Sequence, residues 1–470
     1  MYSSKAQVSL SRLKCGVDSM KRYLFVALIL ALTFGFTFGP SFGPSFAMPG
    51  AARATLAVTG ESTPAQRHEA FEIVWHAVKE KHFDATLGGL DWDKVKRDYA
   101  PKVDAAKSDN ELYSLLQQML GELHQSHFNI IPPEFIVEDD TREPAGGGIG
   151  IDIRTVDDQI LITRVDPNSP GAKGGLRTGF VIMAVDNTPV KEIISRFAKS
   201  KESPAITKLR INRSILSRIN GPPDTQVKLA YLDGHDKTQE ATIGRERLPG
   251  KMSQRMGNFP PQYSEIEVKR LEGGIGYIRF NIFVMLLNEP IREAIRSLHD
   301  APGLIIDIRG NPGGVGGIAP GLVGMMEEKQ VSLGTMKTRN NEVRFIANPQ
   351  PNAYAAPIAL LIDGMSASTS EILAGGLQEL KRAVVVGERS AGAALPSVFE
   401  KLPTGALFQY AIGDFRTPSG VLIEGQGVKP DVEVKLSRAA LLAGRDPQLD
   451  EAVKQIMKAV PNHKSRTASH

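Results

Sequence analysis

The chain has 470 residues, 41% of them hydrophobic and 23% charged, which is long enough for roughly two or three domains and too ordinary for a disordered or fibrous protein. The formal net charge of +4 is concentrated at the start: residues 1–54 carry six basic side chains against Asp18, leaving the remainder at −1. That balance excludes the basic excess that would draw nucleic acid or an anionic membrane to the body of the protein.

Met20-Lys21-Arg22 followed by Tyr23 to Phe38 is a basic n-region and an apolar h-region. Small residues follow, with Ser45-Phe46-Ala47 or Ala52-Arg53-Ala54 as A-x-A-like cleavage sites. The run is short for a membrane span and is broken by the duplication Gly39-Pro40-Ser41-Phe42-Gly43-Pro44-Ser45-Phe46. Residues 1–54 therefore read as a signal peptide, with Met20 a better start than Met1, and the protein as exported to a periplasmic or extracellular space. An uncleaved N-terminal anchor is the alternative, and the only membrane contact expected. Cys15 is the only cysteine and precedes the h-region, so the mature chain has no disulfide, thiol nucleophile or cysteine metal site.

Residues 55–140 read as a helical domain. Ser62-Thr63-Pro64 is a helix start, and Phe71, Val74, Trp75 and Val78 repeat at helical spacing behind it. Ser108-Asp109-Asn110-Glu111 is a capping-box pattern ahead of Leu112, Leu115, Leu116, Met119, Leu120 and Leu123, one apolar helix face. That helix runs out at His124-Gln125-Ser126-His127. With no acidic or further histidine ligand nearby, a lone His-x-x-His is too weak for a metal site, and none is expected.

Thr141 to Gly148 is a Pro/Gly-rich linker into a β-rich region, residues 141–247. Gly148-Ile149-Gly150-Ile151, the segment Ser169-Pro170-Gly171-Ala172 and the turn Val185-Asp186-Asn187-Thr188-Pro189-Val190 resemble a bacterial PDZ domain; Phe180 stands where an acidic residue is usual. The resemblance implies a groove that adds a peptide strand to a sheet edge, with the loop Gly148, Ile149, Gly150 and Ile151 holding a C-terminal carboxylate. A PDZ fold used only as a hinge or lid is the plainer reading.

Residues 248–445 alternate apolar strands with helices, the pattern of a mainly parallel sheet covered on both faces. Strands are expected at Gly274 to Phe280, Gly303 to Arg309, Ile358 to Ile362 and Ala383 to Gly387, with a helix from Glu289 to His299. After Ile362 comes Asp363-Gly364-Met365-Ser366-Ala367-Ser368-Thr369-Ser370-Glu371, a cluster of hydroxyls at a strand-to-helix turn. Such a turn sets a serine beside the free amides of a helix start, which can stabilise an oxyanion; most serine-rich turns are only caps. Residues 446–470 read as a C-terminal helix and a polar tail.

This part resembles the C-terminal processing (tail-specific) and tricorn-type serine peptidases, which have a crotonase-like α/β core. Asp307-Ile308-Arg309-Gly310-Asn311-Pro312-Gly313-Gly314 matches one family motif, and Ser366 to Glu371 matches the nucleophile motif, placing the nucleophile on Ser368 with Ser366 and Ser370 as turn hydroxyls. In the processing branch a base lysine stands 25 residues beyond the nucleophile, where this chain has Ala393. A methyl group accepts no proton, so a Ser-Lys dyad is not expected. Lys381 and Lys401 fall at other spacings.

A serine hydroxyl needs a base, normally an imidazole held by a third group. The tricorn-type branch supplies a histidine preceded by a serine from the loop after the N-terminal helices, and a glutamate late in the core. Ser126-His127 and Glu424 match these, although Gln125 replaces a common aspartate, and His124 is a rival base. The resemblance thus implies Ser368 as nucleophile, His127 as base, Glu424 and Ser126 orienting it, and an oxyanion hole at Gly313 and Thr369, without cofactor. Expected partners are protein or peptide substrates. The alternative is a non-catalytic ligand-binding protein on the same fold; a base lysine recruited from elsewhere is a third reading.

Overall fold

The computed structural model describes residues 61–136, 146–198 and 202–460. The signal-like segment, most of the linker and the polar tail lie outside the described residues.

Thr63 caps the first helix, Pro64–Lys81, through a reciprocal pair with Gln66, and helices Trp92–Asp104 and Asp109–Gly121 follow. Their apolar faces meet in a core of Phe71, Val74, Trp75, Leu112, Leu116 and Met119. Full burial stabilises each such side chain by roughly 1.5–3 kcal/mol. The three helices do not close this core alone. A hairpin from the C-terminal half, Ser397–Lys401 with Leu407–Ala411, contributes Leu402, Phe408 and Tyr410, and the short strand Asn129–Ile131 pairs antiparallel with Leu407–Ala411. Sequence reading had assigned neither hairpin strand.

In the PDZ-like unit the strands Ile151–Val156, Gln159–Val165, Val181–Val185, Gln226–Leu232 and Thr238–Gly244 lie in that order, all antiparallel. Alternate isoleucines, valines and leucines face a core closed by the helices Val190–Ser195 and Pro204–Ile219. The unit docks on the C-terminal half through two ion pairs, Arg154 with the buried Asp363 and Arg279 with the partly exposed Asp152, both at 2.5 Å.

The C-terminal half is built on a six-stranded sheet in the order Ile266–Arg270, Gly276–Phe280, Leu304–Asp307, Ile358–Ile362, Ala383–Gly387, Val432–Glu433. Only the first strand is antiparallel. Period-two alternation sorts the side chains to two faces. Leu304, Ile306, Leu360 and Ile362 pack on the helices Met285–Ser297, Ile318–Val323 and Thr369–Glu379, whereas Ile305, Ala359 and Leu361 pack on the C-terminal helix Pro447–Ala459. The doubly covered α/β sheet is as the sequence predicts. The helix expected at Glu289 begins one turn earlier, at Met285, because Pro290 is accommodated inside it.

Candidate active site

The turn bearing Ser368 is built from beneath. Strand Ile358–Ile362 ends at Asp363, whose carboxylate accepts from the amides of Gly310, Met365 and Ser366 at 2.9–3.1 Å. Ser366 Oγ donates to the Ile308 carbonyl at 2.8 Å and Ser370 Oγ to the Asn311 carbonyl at 2.9 Å, both fully buried. Between them, Ser368 adopts φ +56° and ψ −119°, a conformation that costs a non-glycine residue on the order of 1–3 kcal/mol. Two acceptors hold it there: its N–H donates to the Ala393 carbonyl at 2.8 Å and to Glu371 Oε2 at 3.0 Å. Glu371 is buried and also accepts from Ser390 Oγ and from the amides of Gly392 and Ala393. Burial pushes its carboxyl up to about 7 against the pull of those donors.

Ser368 lines a cavity of about 1140 Å³, larger than the ~300–1,000 Å³ of most small-molecule pockets and roomy enough for a stretch of polypeptide. Ser126 and His127 line the same cavity. Glu424 lies behind them: Oε1 accepts from the Ser126 amide at 2.8 Å, and Oε2 accepts from the Ala394 amide and from Ser126 Oγ, both at 2.9 Å. Ser126 Oγ is 2.7 Å from His127 Nδ1. Ser126 has one hydroxyl proton, and Glu424 takes it. The hydroxyl can then only accept from His127, which fixes the neutral Nδ1–H tautomer and leaves the Nε2 lone pair as the ring's basic site. Burial first, then the charges of Arg213 and Arg210, push the imidazole down to about 3. Burial raises the Glu424 carboxyl.

His124 is exposed and does not line the cavity. Gln125 accepts from Nε2 of the buried His82 at 2.8 Å, while His82 Nδ1 accepts from the Asp84 amide, so this strap fixes the loop carrying Ser126 and His127. Sequence reading missed it because His82 lies 43 residues from Gln125. Ala393 is where its spacing implies, beside Ser368, and its methyl packs in a cluster with Ala367, Ile206 and Leu209. Among the described residues no lysine lines the cavity.

Gly313 and Thr369, the residues expected to form an oxyanion hole, differ in what their amides meet. The Gly313 amide donates to Asn311 Oδ1 at 2.9 Å, and Gly313 does not line the cavity. The amides of Gly314 and Thr369 donate to nothing among the described residues, and both residues line the cavity. Gly313 answers a different demand: at φ +96° a Cβ there would stand 2.7 Å from Ser368 Cβ.

In the PDZ-like unit, Gly148 and Gly150 line a second cavity of about 620 Å³ together with Arg164 and Asp166. The side chains of Ile149 and Ile151 are buried in that unit's core, so only their backbone is available to a ligand. Gly147–Gly148 already pairs with Glu246–Arg247. Among the described residues no cluster of His, Asp or Glu is arranged to hold a metal ion, and no helix is long and apolar enough to cross a membrane.

Comparison with known proteins agrees with this architecture. Residues 63–121 match the tricorn protease C1 domain, residues 139–212 the PDZ domain and residues 274–434 peptidase family S41. The carboxyl-terminal-processing protease of Synechocystis sp. is 26% identical over 388 residues, covering 81% of this chain and 84% of that protein. Among solved structures, the photosystem II D1 C-terminal processing protease shares the fold with a TM-score of 0.54 at 23% identity, over 84% of this chain and 98% of its own. Mature CPAF does so with a TM-score of 0.60 at 15% identity, over 85% and 98%. The chain is a serine-type peptidase, with successive segments that match the tricorn protease C1 domain, the PDZ domain and peptidase family S41.

Proposed function

We propose that the protein is an exported endopeptidase working through an acyl-enzyme on Ser368, with His127 rather than a lysine as general base. The observation that carries this reading is the hydrogen-bond chain from Glu424 through Ser126 to His127 Nδ1, at the cavity that Ser368 lines. In this reading Nε2 of His127 takes the Ser368 proton as the hydroxyl attacks a peptide carbonyl. Glu424, through the Ser126 hydroxyl, stabilises the imidazolium that forms. The Gly314 and Thr369 amides receive the oxyanion. The imidazolium protonates the leaving amine, and water, deprotonated by His127, hydrolyses the ester.

We further propose that the PDZ domain recruits substrates by their C-termini at the Gly148–Ile151 loop, in line with the names of the processing proteases it resembles. Export rests on the n-region and h-region of residues 20–38. The test is proteolysis of unfolded casein by the mature protein and by Ser368→Ala. Fragments from the first and none from the second are expected; identical patterns, or no fragments from either, would leave the non-catalytic binding reading in place.

A further inference from the structure

A cation without a counter-ion stands in the active-site cavity. The charged side chains lining it are Arg210 and Arg213, both on the helix Pro204–Ile219, and no Asp or Glu lines it. Arg210 is partly held, donating to Asn129 Oδ1 at 2.8 Å and pairing with Glu202 at 2.7 Å, although its Nε has no acceptor. Arg213 makes no hydrogen bond or ion pair with any described residue, so its five N–H donors face the cavity and solvent. Arg213 is exposed, so water solvates its guanidinium until an anion arrives, and the residues that share the cavity with it, Ile206, Leu209 and Phe197 among them, include no acid.

The helix fixes how far this cation lies from the nucleophile. Ile206 and Leu209 pack on Met365, Ala367, Ala391 and Ala393, the walls of the Ser368 turn. Arg210 and Arg213 follow these two at i+4, on the same helix face. A rise of ~1.5 Å per residue sets Arg213 roughly 6 Å beyond Leu209. An extended substrate advances ~3.3 Å per residue.

We propose that Arg213, with Arg210 behind it, is a carboxylate subsite that binds an acidic side chain or a free C-terminal carboxylate within roughly one to three residues of the scissile bond. The fork of donors suits a carboxylate bidentately. The proposal rests on the peptidase reading and adds a consequence to it. Arg213 and Arg210 lower the proton affinity of His127, so a substrate carboxylate that neutralises them makes the base stronger when the correct chain is bound.

The test uses the full mature chain and peptides of one scissile core. One series carries Glu or Gln at each of three positions on either side of the bond; the other ends in a free acid or an amide one to three residues beyond it. At one position or end, the carboxylate form is expected to exceed its neutral partner in kcat/KM by about tenfold or more, a ratio that falls to within about twofold in Arg213→Gln and returns in part in Arg213→Lys. The series that carries the gain identifies the source of the carboxylate. A wild-type ratio near one throughout, or a ratio unchanged in Arg213→Gln, overturns the subsite. Anisotropy with the same fluorescent peptides on Ser368→Ala separates this from failure of the peptidase reading, because it needs no turnover. An Arg213-dependent preference for the carboxylate in Kd supports the subsite even if nothing is cleaved, and equal Kd values overturn it.

Discussion

Ala393 stands beside Ser368 with its methyl in an apolar cluster and its amide bonded to Glu371, so no proton acceptor is available from that position. In the proposed mechanism the base comes instead from across the cavity, and its state follows from its neighbours. His127 touches Ser126, which is backed by Glu424, and feels Arg210 and Arg213 from the helix Pro204–Ile219. A depressed pKa means the neutral, proton-accepting ring persists as pH falls below the ordinary histidine value of ~6.5. Histidine-labelled nitrogen NMR is expected to show His127 as the Nδ1–H tautomer with no titration between pH 8 and 5. A midpoint near 6.5 would contradict this environment. Removing the Ser126 hydroxyl breaks the relay, so Ser126→Ala is expected to lower kcat/KM by about 10²–10⁴-fold with little change in KM, the pattern of a group acting in the transition state.

At the scale of elements, the nucleophile turn depends on buried polar groups that do no chemistry in this account. Asn311 is fully buried, donates to the Phe280 carbonyl and accepts from the Gly313 amide, while its own carbonyl receives Ser370 Oγ. Asn311→Ala leaves a buried donor and acceptor unpaired, at roughly 1–3 kcal/mol each. Urea denaturation is expected to show that loss, and a variant as stable as wild type would remove Asn311 from this role. Ser368, Ser126-His127 and Glu424 stand in compact motifs, so they could be named as candidates from the sequence. The four bonds that the buried Glu371 accepts, one of them from the Ser368 amide, were not legible there. Gly314 was not legible, because the motif names two adjacent glycines and only the Asn311 side chain decides which amide is left open. Arg213 was hidden for another reason: the phase of a helix relative to a cavity is set by docking between units.

For the whole molecule, the mainly parallel sheet covered on two faces followed from apolar periodicity, since its central strands each carry their own signal, whereas the strand order did not. The shared core of the N-terminal helices and the hairpin Ser397–Lys401 with Leu407–Ala411 left none, because pairing of Asn129–Ile131 with Leu407–Ala411 spans some 280 residues of sequence. That core ties the loop of His127 to the half that carries Ser368. Leu116→Ala, at a fully buried position, is expected to destabilise by roughly 2–5 kcal/mol. In hydrogen exchange, protection should fall together in the helix Asp109–Gly121 and in Leu407–Ala411; loss in the helix alone would separate the two halves.

In the proposed mechanism Ser368 is activated by His127 held across this junction. The most direct measurement of this activation is the rate and site of labelling by a serine-reactive fluorophosphonate, in wild type, His127→Ala and Ser368→Ala, with the modified peptide identified by mass spectrometry. The account predicts label on Ser368 alone, a rate lower by about 10³-fold or more without the imidazole, and no label in Ser368→Ala. Label on another serine, or wild-type labelling in His127→Ala, would contradict it.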